Sequence, residues 1–169
     1  MPATPMFKSR ALLRGWRLPI IAATTLIILA FVNFEIVGKE RILREGTTVL
    51  LELAPVDPRS LLQGDYMALR YAMADEVARV AAEKGVRDGR VVIELDENGV
   101  ARFVRIHEGE RLADGQHLLQ FRKRGESVRL ASDAWFFQEG TADTYRGARF
   151  GELRVSDEGE AVLVAVRRR

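Results

Sequence analysis

Seventeen consecutive residues without a charge, Leu18 to Phe34 (LPIIAATTLIILAFVNF), constrain this chain more than any other feature. As an α-helix the run rises about 26 Å, and with Ile36 and Val37 it approaches the roughly 30 Å hydrocarbon thickness of a bilayer. The spacing therefore predicts a transmembrane helix over residues 18–37, with Pro19 in its first turn, where a missing N–H costs nothing. Lys8, Arg10, Arg14 and Arg17 precede it without an acid, whereas Glu35, Lys39, Glu40, Arg41, Arg44 and Glu45 follow as a mixed set. By the positive-inside rule, residues 1–17 are a cytoplasmic tail and everything after the helix lies outside. A cleaved signal peptide competes, but its apolar region is about 7–15 residues long and ends in small residues. Here the exit reads Ala30-Phe31-Val32-Asn33-Phe34-Glu35, which favours an uncleaved anchor over a signal or a buried soluble helix.

Charge accounting shifts the picture of the remainder. Of 26 Lys and Arg, four precede residue 18, leaving 22, and of 24 Asp and Glu only Glu35 precedes Gly38, leaving 23; the outer part is thus near −1, not the +2 of the whole chain. The pI near 9.2 reflects the tail and is no argument for nucleic-acid binding. Arg167, Arg168 and Arg169 read as an ordinary solvated end. There are no cysteines, so neither disulfides nor a thiolate nucleophile enters. His107 and His117, the two histidines, lack the spacing of a metal motif, and no metal or cofactor is expected.

With 169 residues there is room for one globular domain beside the anchor. Residues 38–46 keep a helical rhythm up to Gly46 and predict a helical stalk. From residue 47 to 169 strand signals dominate. Thr47–Leu53 reads as the first strand, and Tyr66–Tyr71 alternates as another, with Leu69 and Tyr71 on the core side. A helix follows over Asp75–Lys84, capped by Asp75, with Val77, Val80 and Ala81 as its apolar stripe and Gly85 as its stop. Three hairpins are predicted: Arg90–Leu95 with Val100–Ile106 about Asn98-Gly99, His117–Lys123 with Val128–Ala131 about Gly125, and Phe150–Val155 with Ala161–Arg167 about Gly159. Ala134–Gln138 is a short strand, and Thr141–Ala148 a loop or short helical turn. The expected fold is a mainly β (α+β) domain of antiparallel hairpins, barrel- or sandwich-like.

Between the first two strands lies Ala54–Tyr71, APVDPRSLLQGDYMALRY, the densest concentration of constrained and hydrogen-bonding residues in the chain. Pro58 restricts Asp57 to extended conformations, and Asp57, Ser60 and Asp65 can bond nearby amides, so a double turn is predicted. Gly64-Asp65-Tyr66-Met67-Ala68-Leu69-Arg70-Tyr71 resembles the motif of the GDYXXLXY family at every fixed position. The lead-in Pro55-Val56-Asp57-Pro58-Arg59-Ser60-Leu61 resembles that family too, as do Phe137-Gln138-Glu139-Gly140, Tyr145, Ala148, Arg149 and Gly151–Val155. The resemblance spans roughly residues 35–165. It implies a bacterial protein anchored in the inner membrane, with its domain periplasmic or extracytoplasmic, of a kind sometimes joined to or encoded beside multi-span membrane proteins and without an assigned activity.

Two uses of the motif follow. In the first, Asp57, Pro58, Arg59, Gly64, Asp65, Tyr66, Leu69 and Tyr71 only fix a fold: Gly64 takes positive φ, Asp65 caps a turn, and the tyrosines fill core with bonded hydroxyls. In the second, Asp57, Arg59, Asp65 and Tyr66 line a groove for a partner, with Trp135 and Phe136 as an aromatic surface. Trp135, Phe136 and Phe137 alternate along a strand, so either Phe136 alone or its two neighbours face solvent. A hydrolase is the alternative. Ser60 before Gly64-Asp65 resembles membrane-anchored signal peptidases, but the needed neutral lysine has only Lys84 and Lys123 as candidates, both in charged surroundings. Asp57 and Asp65 as a glycosidase pair have no geometry fixed by spacing. The expectation is a binding or scaffolding domain whose partners are the lipid bilayer and another membrane protein, with no catalytic residues.

Overall fold

In the computed structural model, which describes residues 9–54, 66–145 and 147–168, the uncharged run lies inside one long helix, α1 (Ser9–Glu45). The chain divides into two compact units, residues 1–40 and 41–169. In the first, Leu18 and Phe34 are each 77% exposed, and the large apolar side chains between them are exposed as well. Within α1, Trp16–Glu45 is 30 residues, long and apolar enough to cross a membrane, a property that a signal sequence shares. The helix starts at Ser9, inside the expected tail, so Pro19 is not in the first turn as predicted but in the interior. There it deletes one i→i−4 hydrogen bond, which a helix of 37 residues tolerates more readily than a short one.

The second unit begins with the last turn of α1, where Ile42 is buried, and Gly46 closes that turn by donating to the Ile42 carbonyl at 2.9 Å. Strand β1 (Thr47–Glu52) leaves directly from it. The order continues with β2 (Tyr66–Ala68), α2 (Ala74–Glu83), β3 (Asp88–Leu95), β4 (Ala101–Ile106), β5 (Gln116–Arg124), β6 (Ser127–Arg129), β7 (Ala134–Phe136), α3 (Ala142–Tyr145), β8 (Phe150–Val155) and β9 (Ala161–Arg167). The three predicted hairpins form as β3–β4, β5–β6 and β8–β9. The strands make a four-stranded sheet β4-β3-β5-β6, a three-stranded sheet β1-β8-β9 and a ribbon β2-β7, all antiparallel.

The sheets curl as a half-barrel around one core. A parallel bridge, Leu50 to Val100, joins β1 to the four-stranded sheet, and an antiparallel bridge, Leu53 to Tyr71, joins it to the ribbon. Leu51, Ile93, Leu119 and Leu153, each fully buried, come from β1, β3, β5 and β8 and meet in that core. Helix α2 covers it with Ala74, Val77 and Ala81. Val77 and Ala81 lie on the predicted stripe, and Val80 is half-buried at its edge. Asp75 does not cap this helix: Met73 holds the N-cap position without a side-chain bond, and Asp75 turns outward in the first turn.

Gly159 shows why one hairpin needs glycine. It sits at φ +86°, and a Cβ there would lie 3.1 Å from the backbone of Leu118 and Leu119. Its carbonyl accepts the Gln120 N–H at 2.8 Å, so the β8–β9 turn is stitched to β5 in the neighbouring sheet. The Asn98-Gly99 turn is simpler. Only Gly99 has positive φ, and the Asp96 carboxylate accepts the N–H groups of Asn98 and Val100 at 2.9 and 3.0 Å. The turn is thus an Asp-anchored one ending in a left-handed glycine, not one with two left-handed residues.

Candidate functional site

The motif splits at the edge of what is described. Asp57, Pro58, Arg59, Ser60, Gly64 and Asp65 lie outside the described residues, so the double turn, the Asp57–Arg59–Asp65 groove and the serine and paired-carboxylate readings fall there too. Tyr66 to Tyr71 is described. The residues flanking the segment are tied together: Ala54 donates to the Arg70 carbonyl at 2.8 Å and Ala72 to that of Glu52 at 2.9 Å, beside the Leu53–Tyr71 bridge. Residues 52–54 and 70–72 are therefore held side by side.

Along residues 66–71, alternation holds as the sequence predicts. Met67, Leu69 and Tyr71 are buried, while Tyr66, Ala68 and Arg70 are exposed. Pairing with β7 sets Tyr66 opposite Phe136 and Met67 opposite Trp135. Tyr66 and Phe136 project from the ribbon together, ring centroids 5.8 Å apart and planes 40° apart, with Phe136 73% exposed. Of the two registers open for the aromatic triplet, the one with Phe136 outward is adopted. Trp135 and Phe137 instead gather on Tyr145 of α3, at 6.0 and 5.2 Å. The Trp135 Nε1 is buried there with no hydrogen-bond partner.

Tyr71 links the ribbon to the core. Its hydroxyl donates to the Ser132 carbonyl at 2.9 Å, and Ser132 Oγ donates in turn to the Ala134 carbonyl at 2.7 Å. Burial, and then the charge of Asp133, push the Tyr71 phenol well above its ordinary pKa. Beside it opens a cleft of about 270 Å³ floored by Leu69, Tyr71, Ala74, Val128 and Leu130. Arg70 and Asp75 form one wall, paired at 2.6 Å, and Arg129 and Asp133 form the other, also paired. The hydrogen bond to Asp75, and then its charge, raise the Arg70 guanidinium above its usual value. Arg124 and Ser127, at the β5–β6 turn, complete the lining.

The other residues considered for chemistry lie at the end of α2, on β5 and just after β4. Lys84 is ion-paired with Glu108, and Lys123 lies half-buried on β5 opposite Val128. Glu110 gathers Arg105 at 2.8 Å and His107 Nδ1 at 3.4 Å, the latter without hydrogen-bond geometry. Backbone N–H groups of Glu110 and Glu108, and then the charge of Arg105, lower the Glu110 carboxyl pKa. Among the described residues no cluster of His, Cys, Asp or Glu is arranged to hold a metal.

Sequence reasoning placed Leu69 and Tyr71 correctly but missed the cleft. Its second wall, Arg129 to Asp133, lies some sixty positions from Tyr71, as the Tyr71–Ser132 bond measures. No local periodicity encodes that meeting. The role of Tyr145 as the centre of the inner aromatic cluster was equally invisible, since a lone tyrosine in a loop has no pattern. Curated proteins and solved structures give no match to this chain. The family model described as GDYXXLXY protein matches residues 28–166, taking in the second part of the apolar helix, the whole motif, the ribbon and both larger sheets, and the chain belongs to that family.

Proposed function

We propose that this protein is a single-pass protein of the bacterial inner membrane, with its N-terminus cytoplasmic, whose extracytoplasmic β domain binds or scaffolds another membrane protein. Support for the anchor comes from the exposed apolar helix, the basic residues before it and the bulky exit from its apolar run. The observation that carries the binding role is the Tyr66–Phe136 pair. Two rings stand side by side in solvent on a two-stranded ribbon, one of them on the tyrosine that directly follows Gly64-Asp65 in the motif. Aromatic side chains supply large contact area at low entropy cost and are enriched where partners dock.

Photo-crosslinking from position 136 in native membranes, followed by pull-down, tests this. A discrete crosslinked membrane protein that is lost in Tyr66→Ala is the expected result. Crosslinks to lipid alone, or an unchanged pattern in that variant, would overturn it.

A further inference from the structure

The cleft between the ribbon and β6 is a second, separate candidate site, and its charge pattern is specific. Its floor is apolar, and each wall carries an arginine whose charge is offset by an aspartate. Arg124 makes no ion pair with any described residue, so the lining holds one cation in surplus. The backbone carbonyl of Arg124 accepts the Ser127 hydroxyl at 3.0 Å, which fixes the tight turn from which its side chain springs. A paired guanidinium still has donors to spare, because it carries five N–H groups and the aspartate takes one or two. The cleft thus offers one unmatched positive charge, several free N–H donors and an apolar floor.

We propose that this cleft binds a monoanionic carboxylate carried on a short apolar stem. A carboxylate matches the planar fork of Arg124 and balances the single surplus charge. A dianionic phosphate would exceed that surplus and meet Asp75 and Asp133 across the cleft. The volume, about 270 Å³, lies just below the range typical of drug-sized ligands, which suits one or two residues' worth of ligand. Two sources fit: the C-terminal residue of a polypeptide, or a free small organic acid. Neither Tyr66 nor Phe136 lines this cleft, and the aromatic pair has its own test.

Titration of the full chain in detergent micelles decides it, using N-acetyl-leucine, its neutral amide, inorganic phosphate and a six-residue peptide ending in a leucine carboxylate. N-acetyl-leucine is expected to bind at least about tenfold more tightly than the amide or phosphate, with affinity falling as salt rises. Arg124→Gln is expected to erase that preference while leaving weak amide binding in place. The peptide binding more tightly than N-acetyl-leucine identifies a polypeptide terminus, and equal binding identifies a small acid. Equal affinity for acid and amide, tighter phosphate binding, salt-independent affinity in the wild-type chain, or no binding of any probe at millimolar concentration would each overturn the proposal.

Discussion

Tyr71 helps fasten the described half of the motif, through a side-chain bond, to the segment between β6 and β7. It is only 4% exposed, and its hydroxyl spans 61 positions to reach the Ser132 carbonyl. Tyr71→Phe keeps the ring but leaves that carbonyl without its donor, and is expected to cost about 1 kcal/mol in a denaturant titration. Its burial, with the charge of Asp133 beside it, makes a pH prediction. Because the folded phenol titrates above the 10.0 of an unfolded tyrosine, the unfolded chain loses its proton first. Stability is then intact below that pH and falls as pH rises past it, by up to about 1.4 kcal/mol per unit. Thermal melts between neutral and strongly alkaline pH should show this slope in the wild type and lose it in Tyr71→Phe. Asp96 acts at the other end of the scale. Backbone N–H groups of Val100, then Asn98, hold its carboxyl below its ordinary value of 3.8, so its contribution is present above that value and lost as pH falls through the lowered one. Asp96→Ala should weaken the acid-side dependence of melting.

Hairpins are the elements in which sequence and structure agree best, because a hairpin is local. Asp96–Gly99, Arg124–Glu126 and Asp157–Gly159 each announce a turn between strand-forming runs, and each makes one. Which hairpin lies beside which is decided by distant contacts. β1 pairs with β8, and β2 with β7, rather than with each other, and the described ends of the first two strand segments are joined by the Leu53–Tyr71 bridge and the two hydrogen bonds beside it. Their residues carry apolar and polar positions that many registers would satisfy, and only burial against the common core selects one. Leu119, fully buried where β5 crosses that core, tests it: Leu119→Ala should cost about 2–5 kcal/mol by chemical denaturation. Gly159→Ala should cost about 1–3 kcal/mol, since alanine must adopt a left-handed conformation against the Leu118 backbone. Retained full stability in that variant would mean the β8–β9 turn is not locked to β5.

On the scale of the molecule, the decisive experiment is topological. A reporter phosphatase fused after Arg169 should be active, and the full chain should resist alkaline extraction from membranes; an inactive phosphatase beside an active cytoplasmic reporter would reverse the orientation. The sequence by itself determined the apolar helix, the alternation that buries Leu69 and Tyr71, the positions of the three hairpin turns and the family. Each is a matter of period or spacing within a few residues, where backbone geometry alone dictates which side chains share a face. Tertiary structure alone decided that Phe136 rather than its neighbours faces outward beside Tyr66, that Tyr71 reaches Ser132, and that arginines from β2's end, β6 and the β5–β6 turn surround one cleft. Those arrangements join residues some sixty positions apart, and only closing the half-barrel around its shared apolar core brings them together.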